Sequence, residues 1–128
     1  MLRWSWLLVG IGLGQATSAP CAEKRKPATA DQIKALVEGL VSPNPAPDER
    51  TLQAGMLKAG GGFPRGYDHK KQAQVHRACR ELTDLGPRAF PFLIERWEDK
   101  RYCLTTEIAT YFPESVGRIC RSIIDGHL

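Results

Sequence analysis

The stretch KKQAQVHRACRELTDLGPRAFPFLIERWEDK, residues 70–100, decides the fold. In its first half Val75, Ala78, Cys79, Leu82 and Leu85 recur at three- and four-residue steps. That spacing places side chains on one face of a helix. Lys70, Lys71, Arg77, Arg80, Glu81 and Asp84 fall mostly on the other faces. Asp68 stands where its carboxylate can accept a bond from a free backbone N–H of the first turn. Gly86 followed by Pro87 is a stop signal, because glycine tolerates a left-handed cap and proline cannot continue the ladder. The second half repeats the pattern with Phe90, Leu93, Ile94 and Trp97 as its stripe. Pro87 and Pro91 lack an N–H, so both belong near a helix start. The expectation is two amphipathic helices back to back, joined at Leu85-Gly86-Pro87.

These residues also carry a resemblance. Leu85-Gly86-Pro87-Arg88-Ala89-Phe90-Pro91-Phe92-Leu93-Ile94, followed by Asp99 and Arg101, resembles the inter-helix turn and second helix of a HEAT-like repeat. The longer run, from Gly66-Tyr67-Asp68 through Arg101-Tyr102 to Ser115-Val116-Gly117, is similar to uncharacterised small exported bacterial proteins with one such unit. The resemblance spans roughly half the chain. It implies a stacked antiparallel helix pair and, usually, protein binding. No second copy of the turn follows, and a solenoid needs three or more units to bury a continuous core. The expected fold class is therefore all-α, a small helical bundle built around one HEAT-like antiparallel helix pair.

Upstream, Arg3 and the apolar run Trp4–Leu13 are followed by the small residues Ala16, Thr17, Ser18 and Ala19. A run of that length is too short to span a bilayer, which takes about 20 apolar residues, and it reads as a secretory signal peptide. Cys21 raises a lipoprotein reading, but Pro20 stands where a lipobox requires a small residue. The expected organisation is a signal peptide over residues 1–22, an N-terminal helix with a Pro/Gly-rich linker over 23–66, and a HEAT-like helical domain over 67–128. The expected location is secreted or periplasmic in a bacterium, with no stable membrane insertion after signal removal. Loss of Arg3 takes the formal charge from +4 to +3. A surplus that small favours solubility and weak attraction to polyanions, not a dedicated nucleic-acid face.

Thr29 with Gln32 matches a capping box, and Ile33, Leu36, Val37 and Leu40 continue it as a helix over about 30–41. Ser42 to Pro47 holds three prolines and reads as a linker or turn. A short helix is expected within 48–59, with Leu52, Met56 and Leu57 apolar. Gly60-Gly61-Gly62 invites a phosphate-cradle reading, but the strand and the lysine-serine or lysine-threonine step that a cradle needs are missing. Residues 101–113 read as an ordered loop or a short β-hairpin laid over the helices. Ser115 caps a last helix with Val116, Ile119, Cys120, Ile123 and Ile124 as its stripe, ended by Gly126.

Cysteines stand at 21, 79, 103 and 120. In an oxidising compartment disulfides persist. A Cys103–Cys120 bridge would pin the 101–113 segment onto the last helix and contribute roughly 3 kcal/mol. The alternative is unpaired thiols, with Cys79 and Cys120 acting as small core hydrophobes. His76 and Cys79 lie three apart on one helix, and His69 precedes them. A thiol nucleophile needs a base within reach, yet His76 falls on a solvated face while Cys79 points inward. His69, His76 and Cys79 fall short of the four ligands of structural zinc. No catalytic, cofactor-binding or metal residues are assigned, and no cofactor is expected.

The reading is an exported non-catalytic protein-interaction or scaffold module with an unknown protein partner. The residues expected to bind it are Trp97, Tyr102, Tyr111 and Phe112, since aromatics dominate interface energies. The second reading is a polyanion- or glycan-binding module using Lys24, Arg25, Lys26, Lys70, Lys71, Arg77 and Arg80, whose contacts would weaken in salt.

Overall fold

The computed structural model describes residues 27–55, 62–107 and 111–126. The expected signal peptide, Cys21, and the lysine–arginine run at 24–26 lie outside the described residues. The order of elements is α1 (Ala30–Glu38), α2 (Glu49–Gly55), α3 (His69–Leu85), a 3-10 turn (Gly86–Arg88), α4 (Phe90–Ile94), β1 (Tyr102–Glu107), β2 (Tyr111–Ser115) and α5 (Val116–Asp125).

The all-α expectation is corrected here. Residues 102–115 form a two-stranded antiparallel sheet, so the fold is helical with a β-hairpin. Tyr102, Thr105, Thr106, Tyr111 and Phe112 are aromatic or β-branched, the residue types that suit a pleated, half-buried surface. Thr105 faces Pro113, and Thr106 faces Phe112. A two-stranded sheet leaves each strand an unpaired edge, where proline is tolerated. Such a hairpin is marginal alone. It lies against α3 and α5, and β2 also meets α2.

The helix ends follow local chemistry. Thr29 Oγ1 accepts from Gln32 N at 3.3 Å, while Thr29 N donates to Gln32 Oε1 at 2.9 Å, the reciprocal capping box. α1 stops at Glu38, short of the expected 41, because Leu40 and Val41 bond back only three residues, to Val37 and Glu38. That winding is 3-10 rather than α. Asp68 caps α3 through Lys71 N at 3.0 Å, and Gly86 ends it at φ 56°.

α3 and α5 supply the two long seams of the core. Val75, Ala78, Cys79 and Leu82 from α3 meet Val116, Ile119, Cys120 and Ile123 from α5, all buried. Ile33, Val37 and Leu40 close the same core from the α1 side, and Ala89 and Leu93 complete it. Truncating any of the large ones to alanine costs about 2–5 kcal/mol.

The helix pair expected from the HEAT-like resemblance does not close-pack. α3 packs on α1 and α5, and α4 packs on α5 and α1, but no Cα of α4 comes within 8 Å of one in α3. α4 is also five residues long rather than a partner of matching length. Pro87 and Pro91 remove two backbone donors. Beyond Ile94 the chain continues as turns, with Arg96 N bonded to Leu93 O, Trp97 N to Ile94 O and Asp99 N to Arg96 O. In such i to i+3 winding, every third side chain is eclipsed. Burial follows that period: Phe90, Leu93, Arg96 and Asp99 face inward to varying degrees, while Ile94, Trp97 and Lys100 are exposed. The expected stripe of Phe90, Leu93, Ile94 and Trp97 is thereby split.

A polar knot holds the 42–47 linker. Asn44 Oδ1 accepts from Asp68 N at 2.8 Å and Asn44 Nδ2 donates to Asp68 O at 3.0 Å. Gln72 Oε1 accepts from Ser42 Oγ at 2.6 Å and from Asn44 Nδ2 at 3.2 Å, and Gln72 Nε2 donates to Cys103 O at 2.8 Å. The start of α3, the linker and β1 are thus tied at one buried point.

Candidate functional site

The 3-10 winding after α4 turns Ile94 and Trp97 outward, where they are 51% and 40% exposed. The first turn of α5 is docked on the same segment. Val116 N donates to Arg101 O and Gly117 N to Asp99 O, each at 2.9 Å. Arg118 N donates to the hydroxyl of its cap, Ser115, at 3.3 Å. Those three N–H groups are therefore satisfied within the chain, and this helix start does not hold them out to an anion. Gly117 permits the contact, because a Cβ there would lie 2.2 Å from Trp97 O.

Charges fix the corner further. Asp99 accepts from Arg101 N and Arg101 Nε at 3.0 Å, and it lies 3.8 Å from Arg96. The bond from Arg101 holds the Asp99 carboxyl below its ordinary pKa, with Arg96 adding to it. Arg96 also pairs with Glu38, which ties the corner to α1. Arg121 lies over the Trp97 ring, 5.5 Å from its centroid, and donates to Glu98 at 2.9 Å and to Trp97 O at 3.4 Å. Arg118, one turn earlier on α5, pairs with Glu114 at 2.9 Å. Between them lies a hollow of about 260 Å³ lined by Trp97, Glu98, Asp99, Lys100, Ser115, Arg118 and Arg121. An indole and two guanidinium groups thus stand together on a backbone-bonded platform. Glu98 is 87% exposed and paired with Arg121, so its carboxyl does not sit in the apolar setting that raises a carboxyl pKa.

The other expected binding residues are placed differently. Phe112, on β2, is 40% exposed. Tyr111 is half-buried on the same strand. Tyr102 turns into a hydroxyl chain, its OH 2.7 Å from Tyr67 OH and 2.8 Å from Thr105 Oγ1. Burial and Tyr102 push the Tyr67 phenol well above its ordinary range. Phe63, Tyr67 and His69 stack as a ring cluster with centroids 4.6–5.1 Å apart. Tyr102 therefore serves the interior as much as the surface.

The remaining chemistry is also placed. His76 stands exposed on α3, and partial loss of hydration together with Arg80 lowers its pKa. Cys79 turns inward while His76 faces outward, so His76 and Cys79 do not form a base–nucleophile pair. Cys79, Cys103 and Cys120 are free thiols, all buried. Burial and the neighbouring Cys79 push Cys120 up to about 12. Among the described residues no group of three or more His, Cys, Asp or Glu side chains is arranged to hold a metal ion, and no helix is long and apolar enough to cross a membrane.

A larger hollow of about 420 Å³ lies between α1 and the end of α3. Three of its four charged residues are engaged: Arg77 pairs with Glu81 at 2.7 Å and Arg88 donates to Ala28 O at 2.8 Å. Of the basic residues on α3, Lys71 also pairs, with Asp68 at 3.7 Å.

Sequence reasoning missed Ile94, Gly117, Arg118 and Arg121 as parts of one corner. Pro87 and Pro91 mark the end of the α3 ladder, but no local signal in the sequence declares the i to i+3 winding that follows Ile94. Comparison of the chain with protein-family models, curated proteins and solved structures finds no match.

Proposed function

We propose that the chain is an exported, non-catalytic protein-interaction module that takes its partner at the Trp97 corner. The single observation that carries this is an exposed Trp97 lying under Arg121 beside a shallow hollow, on backbone that α5 holds in place. Tryptophan and arginine are the residue types enriched where interface energy concentrates. A surface already held in its bound shape loses less freedom on association. Ile94, one turn before Trp97, extends the apolar contact. The partner is a protein presenting an apolar side chain to Trp97 and Ile94, with polar groups around it to meet the charged rim of the hollow.

The polyanion reading is the weaker one. Two of its four cations on α3, Lys71 and Arg77, already pair with carboxylates. The exported location rests on the sequence at residues 1–22.

The test is capture by the tagged mature chain from the native envelope and medium, wild type beside Trp97→Ala and Ile94→Ala. The proposal expects a partner that is retained by wild type and lost by at least tenfold with Trp97→Ala, while circular dichroism shows the variant folded. Equal capture by both, or capture that moderate salt abolishes and Trp97→Ala does not touch, overturns it.

A further inference from the structure

The corner at Trp97 carries its own complement. Ile94, Trp97 and Lys100 are exposed at three-residue steps along the winding that follows α4. Such steps stack side chains in one column, and a rise of about 2.0 Å per residue makes it about 12 Å long with the indole at its middle. One end is apolar and acidic, with Ile94 and its neighbour Glu95 both exposed. The other end is basic, at Lys100, which lines the Trp97 hollow. Ion pairs engage the other charges of this corner: Arg96, Glu98, Asp99, Arg101, Arg118 and Arg121. Among the described residues the side chains of Glu95 and Lys100 have no such partner. Lys34 of α1 shares a small hollow with Glu95 but forms no ion pair with it.

We propose that the partner at this corner is a second copy of the chain, bound about a two-fold axis at Trp97; this deepens the reading of the corner as a protein-binding surface and rests on it. A two-fold interface is isologous: where residue i meets residue j, j also meets i. Two such columns laid antiparallel set Trp97 of one copy against Trp97 of the other. Ile94 then lies under the methylene stem of Lys100 from the second copy, whose ammonium reaches Glu95. The axis repeats that contact at the other end. Opposite charges thus meet twice, with apolar side chains between them. Arg121 lies over the indole, yet Trp97 remains 40% exposed for the contact. A foreign protein would have to bring its own acid, apolar group and base in this order, whereas a second copy brings them reversed, as the axis requires. A ridge this short belongs with small interfaces, below about 1,200 Å², which hold weak and reversible pairs.

Sedimentation equilibrium of the mature chain, over concentrations that reach millimolar, tests this. The expected result is a monomer–dimer equilibrium. Glu95→Lys and Lys100→Glu each set like charges against one another at both ends of the contact, and each weakens dimerisation by about tenfold or more. Mixing the two variants restores association, because one then offers two bases and the other two acids. Combining both reversals in one chain restores it as well. Trp97→Ala also weakens the dimer by about tenfold or more. All three positions are exposed, and circular dichroism verifies that each variant is folded. A chain monomeric at every concentration overturns the pairing of copies, whereas the protein-binding reading of the corner falls only if capture from the envelope is indifferent to Trp97→Ala. A dimer that survives either reversal, or single variants whose mixture stays monomeric, also overturns the proposal.

Discussion

Gly117 lies directly against the carbonyl of Trp97, so close that a Cβ at 117 would stand 2.2 Å from the oxygen and 2.8 Å from the carbon. The obstacle is backbone, which cannot swing aside as a side chain would. Gly117→Ala must push α5 off the 96–99 turn and strain the bonds from Val116 N and Gly117 N. Overpacking of this kind costs about 1–3 kcal/mol. Urea unfolding of the variant should show a lower midpoint by that amount. An unchanged midpoint would mean that α5 does not dock as closely as described.

Gln72 is the hub of the buried knot. It serves Ser42, Asn44 and the carbonyl of Cys103. Among the described residues no fully buried side-chain polar atom lacks a partner. Gln72→Leu keeps the volume and strands those groups, at roughly 1–3 kcal/mol for each one left unsatisfied. The variant should unfold at lower urea with the same slope. A shallower slope would instead indicate that the linker and hairpin had detached in the native state.

Asp99 gives the fold an acid limit. Arg101 holds its carboxyl below the ordinary value in the folded chain. A depressed folded pKa means that the unfolded chain binds the proton more readily. The contribution is therefore complete above the ordinary carboxylate pKa of about 4 and is lost as pH falls through the lower folded value. Thermal unfolding of wild type should lose more on going from pH 5 to pH 3 (both roughly bracketing that window) than Asp99→Asn does. Parallel losses would show that the Arg101 bond is not formed in solution.

Arg121 over Trp97 makes a prediction by fluorescence. Outside residues 1–22, Trp97 is the one tryptophan of the chain. Arg121→Ala removes an exposed ion pair and a cation–π contact, so stability should change by less than about 1 kcal/mol. Acrylamide quenching of Trp97 should nevertheless become more efficient, because one face of the indole is uncovered. Identical quenching of both proteins would show that the guanidinium does not cover the ring.

Much of the helical frame was legible because its determinants are local. Thr29 with Gln32, Asp68, Gly86, Ser115 and Gly126 all act within a turn of where they stand, and the seams at 75–82 and 116–123 declare themselves by period. The hairpin was open between loop and strand, because Thr105 and Thr106 find their partners across a turn rather than along the chain. The stripe at 90–97 misled because it assumed 3.6 residues per turn, whereas the proline pair leads into a period of three. Trp97 was named for its chemistry, but its exposure follows from that change of winding. Asn44, Gln72 and Gly117 gave no local sign of their roles, since each depends on backbone far along the chain, at Asp68, Cys103 and Trp97, and distant pairings of this kind are not written in periodicity.

The most direct measurement is photo-crosslinking in the native compartment, with a benzophenone side chain placed at position 97 and, as control, at exposed Arg50 on α2. The account predicts a discrete protein adduct from position 97 that is absent from position 50. No adduct at 97, or the same adducts from both positions, would contradict it.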